Sequence, residues 1–145
     1  MPSTPPPEAA AAARLEYHES ENPEIAARLG AEIAARFGAR DETPLSLVAR
    51  DADGAVIAGL NGVVHWRWLY VRHLWVAEAA RGQGLGSRLL AAVEQSARDR
   101  GARGAYIDTF DEAAARFYER AGYRRHGRIE DFPPGFARVF LARRF

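Results

Sequence analysis

Apolar residues recur along this chain with two periods, and the switches between them mark out its elements. Ile25, Leu29, Ile33 and Phe37 return every fourth residue, which predicts an amphipathic helix with one buried stripe. Asn22 suits its cap, Pro23 its first position, and Gly38 its stop; Glu24–Arg28 and Glu32–Arg36 would pair along the exposed side. Strand patterning follows. Leu45–Ala49 reads as a strand, Asp53-Gly54 as a tight turn, and Ala55–Trp66 and Trp68–Val76 as the next two strands. In the last of these, Leu69, Val71, His73 and Trp75 alternate with Tyr70, Arg72, Leu74 and Val76. Apolar residues in both sets predict a central strand covered on both faces.

After Val76 the helical period returns: Leu85, Leu89 and Val93 share one face of a helix expected to run to Gly101. Ala105–Phe110 predicts another strand and Asp111–Ala121 another helix. Tyr123–Glu130 and Phe136–Ala142 predict a closing antiparallel pair around Asp131-Phe132-Pro133-Pro134-Gly135. A first strand is expected near Leu15–His18, preceded by a disordered tail over residues 1–13, which are rich in Pro and Ala. The order β-α-β-β-β-α-β-α-β-β describes a mixed α/β sheet flanked by helices, with no internal repeat.

Composition narrows the picture. A chain of 145 residues, 48% hydrophobic and 27% charged, suits a single globular domain, here 14–145. It has no Cys, which excludes disulfides, thiolate metal sites and a cysteine nucleophile. The four His are scattered with no H-E-x-x-H pair, so no metal site is expected. Neither a membrane span nor a secretory signal is apparent, and a cytoplasmic protein is expected. The 20 basic and 19 acidic residues nearly cancel, which disfavours a nucleic-acid partner. Residues 113–145 nevertheless hold eight Arg against three acidic residues, which suits an anionic ligand as well as a solvated arginine surface.

The stretch Leu74–Leu90, LWVAEAARGQGLGSRLL, carries the chemistry. A strand gives way to the loop Arg81-Gly82-Gln83-Gly84-Leu85-Gly86, and a helix begins at once. Glycines let a backbone approach a ligand closely and reach dihedrals that a Cβ forbids. The unpaired N–H groups of a helix's first turn, at the positive end of its dipole, hold anions such as pyrophosphate. Arg81 and Arg88 add fixed charge. The loop is not a Walker A sequence, because Ser87-Arg88 follows Gly86 where Lys-Ser/Thr would be needed. Its G-x-G-x-G spacing also differs from the dinucleotide fingerprint G-x-G-x-x-G. Taken alone it also suits a glycine-rich surface turn.

Arg-x-x-Gly-x-Gly after a mid-chain strand resembles the acetyl-CoA-binding motif of the GNAT superfamily of N-acetyltransferases. A second segment, DEAAARFYERAGY over Asp111–Tyr123, is similar to that family's late helix: Asp111, Ala114, Phe117, Tyr118, Gly122 and Tyr123 fall on its pattern. Asp111 stands where Asn is usual. The ending GRIEDFPPGFARVFLARRF resembles one bacterial subgroup, in which a His would be expected at Phe136, so no role of that His carries over.

The resemblance implies the GNAT fold, with a mixed sheet of about six to seven strands. It implies acetyl-CoA as co-substrate, transfer to a primary amine on a small molecule or peptide by direct attack, and a homodimer. The cofactor would lie against Trp75, Val76, Arg81, Gly82, Gln83, Gly84, Leu85, Gly86 and Ser87. A backbone N–H near Val76 would meet the developing oxyanion. Tyr118 would be the proton source: a phenol with a pKa near ~10 stays protonated and can donate to a thiolate whose acid has a pKa of about 8.5. His73 is the first candidate for the base, acting through water, with Glu78, Asp108 and Asp131 as others. His65-Trp66-Arg67-Trp68 could line an acceptor cleft or a dimer surface. A non-catalytic acyl-CoA sensor is the competing reading, and a nucleotide-binding protein a third.

Overall fold

The computed structural model describes residues 10–145, which divide into two compact units between Arg40 and Asp41. The first unit holds helix α1 (Pro23–Phe37). Its ends are built as the sequence predicts. Asn22 Oδ1 accepts from the N–H groups of Glu24 (2.9 Å) and Ile25 (3.3 Å), and Gly38 closes the helix at φ 94°. Arg28 donates to Glu24 at 2.9 Å. Arg36 lies over the Phe37 ring, 5.0 Å from its centroid, and forms no pair with Glu32.

The expected buried stripe is absent: Ile25, Leu29 and Phe37 are exposed and Ile33 is half-buried. Caps and periodicity suffice to form a helix, but burial needs a second apolar surface. The described part of this unit contains no other element of comparable length. Residues 13–18 form no strand, and Leu15 and Tyr17 are exposed, which leaves a strand there nothing to bury. Of the tail expected over residues 1–13, residues 1–9 lie outside the described residues, and Ala10 and Ala11 are helical.

The second unit is a six-stranded sheet in the order β1-β2-β3-β4-β6-β5. The strands are β1 (Thr43–Arg50), β2 (Val56–His65), β3 (Trp68–Val76), β4 (Gly104–Thr109), β5 (Arg124–Glu130) and β6 (Ala137–Arg144). Helices α2 (Leu85–Asp99) and α3 (Glu112–Arg120) bury Leu89, Leu90, Val93, Ala97, Ala115 and Tyr118 in one core with Leu69, Val71, Ala105, Ile107, Val139 and Leu141. Each fully buried Leu or Val contributes about 1.5–3 kcal/mol of hydrophobic stabilisation. The β2–β3 hairpin closes on Trp66 (φ 47°) and Arg67 (φ 64°), so the strand predicted through Trp66 ends at His65.

Two irregularities in β3 prepare the site. Its register with β2 passes from Gly62↔Val71 to Asn61↔His73, leaving Arg72 bulged. The extra residue reverses the side-chain phase. Leu74 and Val76 therefore join Leu69 and Val71 on the helix-covered face, while His73 and Trp75 turn to the other face with Tyr70. The two alternating sets predicted for this strand are thus exchanged halfway along it. The second irregularity concerns β4, its parallel neighbour. Pairing with β4 is confined to Leu69↔Ala105 and Tyr70↔Tyr106. Farther on, β3 follows β2 as far as Ala58↔Val76, and β4 follows β6 as far as Thr109↔Val139. The two central strands part after Tyr70 and Tyr106, opening a V in the sheet.

Candidate active site

A cleft of about 630 Å³ borders this V on the helix-covered face. β3 supplies Leu74 and Val76; the loop and first turn of α2 supply Arg81, Gly82, Gly84, Leu85, Gly86 and Ser87; α3 supplies Ala114, Phe117, Tyr118 and Arg120. Loop conformation follows from glycine: Gly82 (φ 75°) and Gly84 (φ 81°) occupy the left-handed region. Gly84 is the N-cap of α2, and the helical ladder begins with the Arg88 N–H donating to Gly84 O at 3.0 Å. The N–H groups of Leu85, Gly86 and Ser87 thus have no helical acceptor and lie along the cleft wall. Gly86 has an ordinary dihedral, and a Cβ there would sit 3.5 Å from Phe117 Cζ, in normal contact. Arg81 Nε donates to the Val76 carbonyl at 3.0 Å, which fixes the guanidinium at the rim.

Asp111 explains its own departure from Asn: it is the N-cap of α3, its Oδ1 accepting from the Ala113 N–H at 2.9 Å. The cap sets the helix so that Tyr118 points inward and is only 4% exposed, while Phe117 is half-buried on the cleft wall. Tyr118 is packed edge-on between Phe117 and Tyr123, with centroids at 5.1 Å and 5.8 Å. Its hydroxyl bonds to no side chain among the described residues, and burial pushes its pKa up to about 12.

Beneath Tyr118 lies a network the sequence reading missed. Glu94, 4% exposed, accepts from Arg143 Nη1 at 3.0 Å and from the Tyr123 hydroxyl at 3.4 Å. Arg143 Nη1 also donates to the Ala121 carbonyl at 3.0 Å. Burial raises the Glu94 carboxyl above its ordinary range, with Arg143 opposing. A charged residue within the apolar stripe of α2 was the available signal; its partners stand 29 and 49 residues away.

The predicted residues divide. Val76, Arg81, Gly82, Gly84, Leu85, Gly86, Ser87 and Tyr118 share the cleft. Gln83 and Arg88 are exposed beside it, and Trp75 turns its side chain away because of the bulge. Arg120, which the sequence analysis did not name, lines the cleft. His73 lies on the opposite face beside a separate hollow with Ser46, Asn61 and Arg72, its Nδ1 3.4 Å from Asn61 Nδ2. Tyr118 and His73 therefore do not meet in one cavity. Asp108 is engaged by Tyr70 and Arg138. Asp131 Oδ1 accepts from the Gly135 N–H at 3.4 Å, and Glu78 opens a short 3₁₀ turn, exposed. No group of His, Asp or Glu among the described residues could hold a metal ion.

A three-glycine loop, free helix N–H groups and a parted pair of strands fit a long thioester cofactor with a pyrophosphate. Comparison with known proteins agrees. Residues 8–123 match the model of the acetyltransferase (GNAT) family. An acetyltransferase of Agrobacterium fabrum is 44% identical over 111 residues, 77% of this chain and 81% of that protein. Blasticidin-S acetyltransferase of Streptomyces morookaense is 46% identical over 91 residues, 62% of this chain and 67% of that protein. A crystal structure of an acetyltransferase from Agrobacterium tumefaciens superposes with a TM-score of 0.81 at 39% identity, over 92% of this chain and 100% of that one.

Proposed function

The chain belongs to the GNAT family of acetyltransferases and transfers an acetyl group from acetyl-CoA, and from that premise we propose which residues carry the reaction. The cofactor pyrophosphate is held by the N–H groups of Leu85, Gly86 and Ser87, with Arg81 and Arg120 as counter-charges. The acceptor's amine nitrogen attacks the thioester carbon, the C–S bond breaks, and the electron pair leaves on sulfur. Tyr118 donates a hydrogen bond to that sulfur. With its pKa at about 12, full proton transfer to a thiolate is uphill, so stabilisation of the leaving group is the larger part of its role. A backbone N–H on the unpaired edge of β3 near Val76 receives the oxyanion. His73, on the other face, is the base, relaying the amine's proton through water. The observation that carries this reading is that the open first turn of α2 and Tyr118 line one cleft.

Residues 14–145 act as one acetyltransferase domain in this proposal, and the family match across residues 8–123 supports that. The acceptor is a primary amine on a small molecule or peptide, and blasticidin S, taken from the named relative, heads the amines to test. A cytoplasmic location goes with the supply of acetyl-CoA; no helix among the described residues is long and apolar enough to cross a membrane. A homodimer is part of this proposal, with the His65-Trp66-Arg67-Trp68 hairpin, where Trp66 is exposed, as its surface. The test is calorimetric titration with acetyl-CoA, CoA, ATP and NAD, followed by assay with blasticidin S, tyramine and spermidine. Selective binding of the two CoA species is expected. Tyr118→Phe is expected to lower kcat about tenfold at unchanged acetyl-CoA affinity, the loss of one hydrogen bond to a charged group. An unchanged kcat would remove Tyr118 from the mechanism.

A further inference from the structure

The sheet face away from α2 and α3 carries a chain of polar and aromatic side chains that the cofactor cleft does not use. Tyr70 is the last β3 residue paired with β4, at the point where the strands part. Its ring stacks on Tyr106, with centroids 4.8 Å apart at 17°. Its hydroxyl donates to Asp108 Oδ1 at 2.9 Å, and Arg138 Nε donates to Oδ2 of the same carboxylate at 2.6 Å. Arg138 lies 4.7 Å over the ring of Phe132, which is 44% exposed in the β5–β6 turn. Strand alternation fixes the facing: Leu69, Ala105, Ile107, Val139 and Leu141 are in the core, so Tyr70, Tyr106, Asp108 and Arg138 project the other way.

Both Asp108 oxygens accept hydrogen bonds and its side chain is only 14% exposed, so it holds Tyr70 and Arg138 in place. Tyr70 is half-buried, and its single proton is committed to Asp108. What it offers across the V is therefore the lone pairs of its oxygen, made better acceptors by the bond it donates.

We propose that Tyr70 orients the acceptor: its hydroxyl oxygen receives an N–H of the incoming amine, and the stacked tyrosines form the floor for a planar group beside that amine. Asp108 and Arg138 are positioning residues acting through it. This rests on the transfer reading above and adds the side from which the acceptor enters, the face that also carries His73. Steady-state kinetics with acetyl-CoA and blasticidin S, tyramine or spermidine test it, using the amine the wild-type protein acetylates fastest. Tyr70→Phe is expected to raise the acceptor KM about tenfold with kcat within threefold and the acetyl-CoA Kd unchanged, since Phe keeps the stack and removes one hydrogen bond. Asp108→Asn, which keeps an oxygen for Tyr70, is expected to raise KM about threefold. An unchanged acceptor KM in Tyr70→Phe overturns the proposal. So does a rise in the acetyl-CoA Kd, which would mean that Tyr70 only holds the strands. Wild-type protein that binds acetyl-CoA but acetylates none of the three amines overturns the acceptor side alone; wild-type protein that does not bind acetyl-CoA overturns the cofactor reading first.

Discussion

Helices α1 and α2 are both 15 residues long, both amphipathic, and both begin where the sequence predicts. They differ in what their stripes do. α2 buries five residues, Leu89, Leu90, Val93, Glu94 and Ala97, whereas α1 buries none. Their N-termini differ in the same sense. At α1 a side chain, Asn22, occupies the first free N–H groups, while at α2 the cap is a glycine with no side chain, which leaves them open to a cleft. Periodicity thus specifies that a helix forms. What the helix is for depends on whether its cap is filled or empty and on whether a second apolar surface meets its stripe.

The sharpest way to break the comparison is to fill the empty cap. Gly84→Asp puts a β-carbon at φ 81° and a negative charge at the helix N-terminus facing the cleft, and it is expected to weaken acetyl-CoA binding at least about a hundredfold. Calorimetry reads the loss. Gly86→Ala, whose Cβ meets Phe117 at ordinary contact distance, should change affinity less than about threefold. Equal losses in the two would mean that bulk, not the cap, matters. Next come the stripes. Leu90→Ala in α2 should cost about 3 kcal/mol by denaturant unfolding, and Leu29→Ala in α1 less than about 0.5 kcal/mol. A large loss at Leu29 would reveal a partner for that stripe. Asn22→Ala should cost α1 about 1 kcal/mol, visible as lost amide protection in its first turns with the acetyl-CoA affinity unchanged.

The smallest effect concerns pH. Burial holds the Glu94 carboxyl above its ordinary value, so the folded protein keeps that proton to higher pH than the unfolded chain does. Its contribution is full below the ordinary carboxylate range and is lost as pH rises through the raised value. Glu94→Gln should flatten that descent in thermal unfolding followed from acid to neutral pH. An unchanged slope would mean that Arg143 offsets the burial completely.

Most elements were legible because they rest on local chemistry. The Asn22 cap, the Asp53-Gly54 turn and the glycine loop need only neighbouring residues. What stayed hidden depends on residues far apart in the chain. Glu94 reads as a misplaced charge until Arg143 meets it, and Asp108 as a candidate base until Tyr70 and Arg138 engage both its oxygens. The facing of His73 and Trp75 was misread for another reason: one bulged residue in a strand that is apolar on both sides leaves no trace in the hydrophobic pattern.

That bulge makes the wall of the cleft a matter of counting. Deleting Arg72 would shorten β3 by one position and continue a single alternation from Leu69 to its end. Leu74 and Val76 would keep their place on the cleft wall, because Gly62↔Val71 and Asn61↔His73 would become consecutive pairs. Flattening the bulge with Arg72 retained would instead turn both outward and drive the imidazole and indole into the core. For anyone tracing how such folds diverge, a gap at this one codon is the loss that leaves every side chain on its face, whereas a one-residue gap elsewhere in the strand exchanges the faces beyond it.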